Sequence, residues 1–252
     1  MHGFIITGTS RGIGAALSQK ILTNSHSLIG ISRSENSTLN QLAEDGQNDF
    51  IFCSLDLGRP ETATNAFVEV FSKWLEKPWE SLTFIHNAGA LKPVTPVGTA
   101  SDLSEITHAM NVNVTTPMLL TEHFIAKTQA LEIEKRLLFI SSGAALKGRE
   151  GWGTYCSSKA AINMYAECIF LEQTQETYPI KVTALAPGVV DTSMQDLLRD
   201  LPEAQFPSVG RFISLKKENK LWSPEYVAER ILELMEGDEL WAKPSGDLRN
   251  ME

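Results

Sequence analysis

The chain has 252 residues, of which 42% are hydrophobic and 21% charged, an ordinary composition for a globular protein with a sizeable core. Its net charge of −9 argues against general affinity for nucleic acid or anionic membranes, and says nothing about a small-molecule site. The three cysteines, Cys53, Cys156 and Cys168, show no CxxC spacing and the five histidines form no HxxxH or HExxH pair, so no metal site is expected and a reducing compartment fits. No basic segment precedes a long apolar run at the N-terminus, where Arg11 interrupts the hydrophobicity. Neither a signal peptide nor a membrane span is read, and the expected location is cytoplasmic.

The first buried strand, Phe4-Ile-Ile-Thr7, runs into Thr7-Gly8-Thr9-Ser10-Arg11-Gly12-Ile13-Gly14 and then a helix at about 12–24. Glycines after a first strand permit a tight turn and close approach of a pyrophosphate, and the helix offers unpaired N–H groups and a positive dipole end. Gly8, Ser10, Arg11, Gly12, Ile13 and Gly14 are therefore candidate dinucleotide contacts, in a GxxxGxG spacing. The second strand, Ser27–Ser32, ends in Arg33-Ser34, with no acid until Glu35. An NAD-selective site usually places a carboxylate there for the ribose 2′-hydroxyl. Arg33 with Arg11 would instead hold a 2′-phosphate, which favours NADP(H); a solvated turn cation is the alternative for Arg33 alone.

A helix at 37–45 precedes the third strand, Phe50–Leu55, which ends in Asp56-Leu57. Asp56 is placed to accept from an adenine amino group with Leu57 near the ring, or to cap the helix beginning near Pro60. After that helix, at 60–77, and a fourth strand, Leu82–His86, come the small residues Asn87-Ala88-Gly89, which let backbone approach the ribose. A helix at 101–130 leads to the fifth strand, Leu137–Ser141, and to Ser142. Another at 152–176 leads to the sixth, Ile180–Leu185, and to Pro187-Gly188-Val189-Val190-Asp191-Thr192. Strands alternating with crossover helices imply one α/β domain over 1–252 with a mainly parallel, doubly wound sheet. Residues 193–222, with Pro202, Pro207 and Gly210, break this rhythm before a last helix at 224–236. They read as a substrate lid or a solvated excursion.

Tyr155 and Lys159 stand four residues apart on one helix and so share a face. A neighbouring ammonium lowers a phenol pKa, and such a tyrosine can protonate a carbonyl oxygen while hydride reaches its carbon. The spacing therefore predicts a Tyr155 made acidic by Lys159, with the Ser142 hydroxyl reaching the same point.

Together these strings resemble the short-chain dehydrogenase/reductase family. The matches are TGxxxGIG at 7–14, Asn87-Ala88-Gly89, Asn113 within Asn111-Val-Asn-Val-Thr115, Ser142, Tyr155 with Lys159, and Pro187–Thr192. The resemblance implies a single NADP-binding Rossmann-type domain and a reductase with Tyr155 as general acid. It implies further that Lys159 tunes the tyrosine and binds the nicotinamide ribose, and that Ser142 holds the substrate carbonyl. Asn113, with Asn111 as its rival, would seat a proton-relaying water. Pro187, Gly188, Val190 and Thr192 would border the carboxamide. Two departures stand out: His86 occupies a position where many members have asparagine, and the C-terminus lacks their glycine-rich ending.

Gly151–Lys159 and Pro187–Gln195 are similar to the sepiapterin reductase branch, which includes bacterial enzymes that reduce benzil to (S)-benzoin. That similarity implies a small-molecule ketone substrate, either a vicinal dicarbonyl or a pterin side-chain ketone. Asp247 would be the pterin anchor by position, or else an exposed tail carboxylate. A 3-oxoacyl thioester, steroid or sugar ketone, or a non-catalytic NADP-sensing role, are the rival readings. The helix at 152–176 carries Ala160, Ala161, Ile162, Met164, Ile169 and Phe170, more apolar surface than one face needs. Family members pair through this helix, which implies a homodimer or homotetramer; burial against the chain's own sheet is the alternative.

Overall fold

The computed structural model describes residues 1–251. Seven strands form one sheet in the order β3-β2-β1-β4-β5-β6-β7, every neighbouring pair parallel. They are β1 (His2–Thr7), β2 (Ser27–Ser32), β3 (Phe50–Ser54), β4 (Ser81–His86), β5 (Glu134–Ile140), β6 (Ile180–Ala186) and β7 (Ser245–Asp247). β2 and β4 are buried at all six positions, as parallel strands covered on both faces must be. The fold is thus a Rossmann-type doubly wound α/β domain.

One face packs Phe67, Phe71, Phe84 and Phe124 under α3 (Pro60–Trp74), α5 (Thr116–Thr128) and α6 (Gly153–Gln173). The other packs Leu17, Ile21, Val227 and Ile231 under α1 (Gly12–Thr23) and α9 (Pro224–Glu236). Local sequence sets the ends of these helices. Ser223 accepts from Tyr226 N at 3.1 Å with Pro224 following, and Asn36 caps α2 (Ser37–Gly46) by accepting from Thr38 N at 3.1 Å. No described helix is long and apolar enough to cross a membrane.

Three elements differ from expectation. The helix expected over 101–130 divides into α4 (Ser104–Met110), a π-helical turn (Asn111–Thr115) and α5. Pro117 has no N–H for the carbonyl four residues back, that of Asn113, and its ring crowds it, so the hydrogen-bond ladder changes register there. Residues 193–222 are not a solvated excursion. They form α7 (Ser193–Arg199) and α8 (Val209–Lys217), and bury Leu198, Phe206, Val209 and Phe212 against Trp152 and Tyr155. β7 was not foreseen, because three residues without an apolar run leave no periodic signal. On α6, Ile162 and Ile169 are buried in the chain's own core while Met164 and Leu171 stay exposed.

Candidate active site

The carboxyl ends of β1, β4, β5 and β6 open on one cleft, at the point where the chain's path leaves β1 in both directions. A cavity of about 710 Å³ runs along it from Arg33 to Phe212. At one end two loops are latched together. Thr7 Oγ1 accepts from Asn87 N and Ala88 N at 3.0 Å each, and Asn87 Nδ2 donates to Thr7 O at 2.9 Å. Gly8 has φ +79, and a Cβ on Gly14 would lie 2.3 Å from Gly8 O, so this crossing of backbones requires glycine at both positions.

Gly8, Ser10, Arg11, Gly12 and Ile13 line the cavity from the β1–α1 turn, and Arg33, Asp56 and Leu57 from the ends of β2 and β3. Gly14 lies behind them, in the loop crossing. No side chain caps the start of α1, which leaves its first N–H groups facing the cleft. Asp56 Oδ1 accepts from Gly58 N at 3.0 Å, so this carboxylate also holds the turn into α3. Asn111 Nδ2 donates to the Gly58 carbonyl at 3.1 Å and belongs to that turn. Asn87, Ala88 and Gly89 follow from β4, and Pro187, Gly188, Val190 and Thr192 from β6.

Ser142, Tyr155 and Lys159 meet at the cavity floor. The Lys159 ammonium donates to the Ile140 carbonyl at 2.7 Å. Asn113 Oδ1 accepts from Ala90 N at 2.7 Å, and its Nδ2 donates to Ala90 O at 2.8 Å and Ser158 Oγ at 2.9 Å. A Cβ on Gly89 would stand 3.7 Å from Asn113 Oδ1 and 3.8 Å from Lys159 Nζ, so both groups converge on that glycine. Behind them a cavity of about 10 Å³ is lined by His86, Asn113 and Lys159. His86 Nε2 bonds Thr121 Oγ1 at 2.9 Å and its ring stacks on Phe139 at 5.0 Å, while Nδ1 has no partner among the described residues. Burial pushes the His86 pKa down to about 3, which keeps the ring neutral.

The electrostatics differ from the spacing argument. Burial pushes the Tyr155 hydroxyl up to about 12, with the Ser142 hydroxyl pulling the other way. Lys159 lies 5.9 Å from the phenol ring centroid, and burial lowers its own pKa to about 8. Desolvation of both groups outweighs their mutual effect, which four-residue spacing alone does not reveal.

The far end of the cavity was largely missed in the sequence. Trp152 stacks on Phe206 at 5.2 Å and meets the Tyr155 ring edge-on at 5.4 Å, and Leu198 and Phe212 complete an apolar wall. Arg149, Arg211 and Arg249 line the same end. They come from three separate segments, so no local pattern marks them. Asp247 lies outside the cavity lining and receives the Arg249 guanidinium, Nε donating at 2.8 Å. Arg11, Arg33, Arg149 and Arg211 form no ion pair among the described residues.

A glycine cradle and exposed helix N–H groups fit the pyrophosphate of a dinucleotide. The fold and this cleft define an oxidoreductase of the nicotinamide-dependent type. Residues 3–202 match the short chain dehydrogenase family, and the chain belongs to it. It is 41% identical over 248 residues to a benzil reductase ((S)-benzoin forming) of Bacillus cereus, covering 98% of each chain. It is 29% identical over 246 residues to the sepiapterin reductase of Rattus norvegicus, covering 93% of this chain and 91% of that one. A short chain dehydrogenase/reductase structure from Saccharomyces cerevisiae superposes with a TM-score of 0.80 at 25% identity, covering 100% of this chain and 97% of that one.

Proposed function

We propose that the protein is an NADPH-dependent ketone reductase whose substrate is a vicinal dicarbonyl such as benzil, or a pterin side-chain ketone such as sepiapterin. The observation that carries this reading is the meeting of Ser142, Tyr155 and Lys159 beneath an apolar wall built by Trp152, Leu198 and Phe212. The similarity to a benzil reductase over nearly the whole chain supports the substrate class.

The glycine turn would hold a reduced nicotinamide dinucleotide, which would supply the hydride. Ser142 and Tyr155 hold the carbonyl oxygen, and Tyr155 gives it a proton, so the C=O π bond is replaced by C–H and O–H bonds. A pKa near 12 keeps the phenol protonated in the resting site, ready to donate. Lys159, charged below about pH 8, stabilises the phenolate left behind and returns its proton. Asn113 shares the spot at Gly89 with Lys159, which suits it to position a water on that return path. Arg11 and Arg33 would hold the 2′-phosphate, and Asp56 with Leu57 would border the adenine. Thr192 and the backbone at Val190 would orient the carboxamide. The exposed Met164 and Leu171 on α6 and Leu119 on α5 would contribute to the pairing surface of a homodimer or homotetramer.

The test is NADPH oxidation with benzil, sepiapterin and a 3-oxoacyl thioester, in wild type and Tyr155→Phe. Diketone or pterin turnover is expected to dominate, and Tyr155→Phe to lose about 10²–10⁴-fold. Thioester turnover far above both would reject the substrate class, and equal rates in the variant would reject the tyrosine acid.

A further inference from the structure

The cavity has a charge pattern opposite to that of the chain. Among the described residues, seven lysines and arginines line it (Arg11, Arg33, Lys92, Arg149, Lys159, Arg211 and Arg249) against the single carboxylate of Asp56, in a protein of net charge −9. Arg11, Arg33 and Lys159 belong to the end that the dinucleotide would fill. Lys92 pairs with Glu105 at 3.7 Å, and Arg249 with Asp247. Among the described residues, that leaves Arg149 and Arg211 as cations without an ion-pair partner, at the end of the cavity away from the glycine turn.

The Arg149 guanidinium lies 5.8 Å over the Trp152 ring, and Trp152 in turn touches Tyr155. Arg211 rises from α8, the helix that covers the site. The Arg249 guanidinium approaches from a third direction, within 3.7 Å of where a Gly143 Cβ would stand. Burial, and then repulsion from Arg211, hold the Arg149 pKa below its usual value. Like charges gathered around an apolar pocket are costly unless an anion joins them.

We propose that the physiological substrate is an anionic ketone. Its carbonyl sits at Ser142 and Tyr155, an apolar body lies along Trp152, and a carboxylate at the far end is held between Arg149 and Arg211. This rests on the ketone-reductase reading and adds to it a substrate charge that benzil and sepiapterin lack.

The probe pair is benzil and para-carboxybenzil, which share the dicarbonyl and differ by one carboxylate. The carboxylate compound should show a kcat/KM about ten-fold above that of benzil, expressed in KM, as a charge-assisted hydrogen bond would give. Added salt should shrink the ratio, and Arg211→Gln and Arg149→Gln should bring it toward one. Arg211 is exposed, so its variant folds. A wild-type ratio at or below one, or a ratio that both variants leave intact, overturns the proposal. Calorimetric binding of the same pair to NADP⁺-loaded protein reads the preference without turnover. Absence of reduction with retained preference would sink the reductase reading alone, and absence of preference would sink this one.

Discussion

Lys159 gives its ammonium to the Ile140 carbonyl at 2.7 Å, and the centre of the Tyr155 ring lies 5.9 Å away. The lysine is therefore a buried cation held by the end of β5, and burial brings its pKa to about 8 while that of the phenol rises to about 12. In the reductive direction the lysine is the first of the two to lose its proton as pH rises. The kcat/KM profile for NADPH should accordingly fall above about pH 8. A profile flat through pH 10 would show that Lys159 charge does not matter to the reaction.

His86 should make the fold acid-sensitive. Its folded pKa of about 3 lies below the usual imidazole value of 6.5, so the unfolded chain takes up the proton first as pH falls. The stability this histidine contributes is present above about pH 6.5 and is lost progressively below it, by about 2 kcal/mol between pH 7 and pH 5. Urea unfolding of wild type and His86→Gln at both pH values checks this. Equal pH dependence in the two proteins would contradict it.

Arg33→Asp should invert the cofactor preference. The substitution removes a charge-assisted partner of the 2′-phosphate and supplies an acceptor for a 2′-hydroxyl. The ratio of efficiencies with NADPH and NADH should drop by about 30-fold or more. An unchanged ratio would return Arg33 to the status of a solvated turn cation.

Phe206→Ala should loosen the cover without touching the dinucleotide half. Phe206 is fully buried and stacked on Trp152, so truncation should cost about 3–5 kcal/mol of stability. KM for the ketone should rise more than KM for NADPH. Equal rises would mean that α7 and α8 do not close the ketone site.

Much of the dinucleotide half was legible because its constraints are local. Glycines after a short apolar run, Asn87-Ala88-Gly89 after another, and Tyr155 four residues before Lys159 each occupy one stretch of chain. What stayed hidden depends on packing between distant stretches. The break at Asn111–Thr115 lies in a sequence whose composition reads as one helix. The pKa values of Tyr155 and Lys159 follow from desolvation, which spacing does not encode. Arg149, Arg211 and Arg249 line one cavity only after α8 and the C-terminal segment are folded into place. Thr7 opened the TGxxxGIG string, but nothing local showed that its hydroxyl latches the β1 and β4 loops.

The aromatic stack beneath α7 and α8 reaches the catalytic groups through the contact of Trp152 with Tyr155, while the glycine turn is built from the β1 and β4 loops. Ring size and cation placement in that stack can change while the nucleotide cradle stays as it is. Lineages built on this plan are thus free to exchange one carbonyl compound for another by resculpting a single wall, at little risk to the machinery that delivers the electrons.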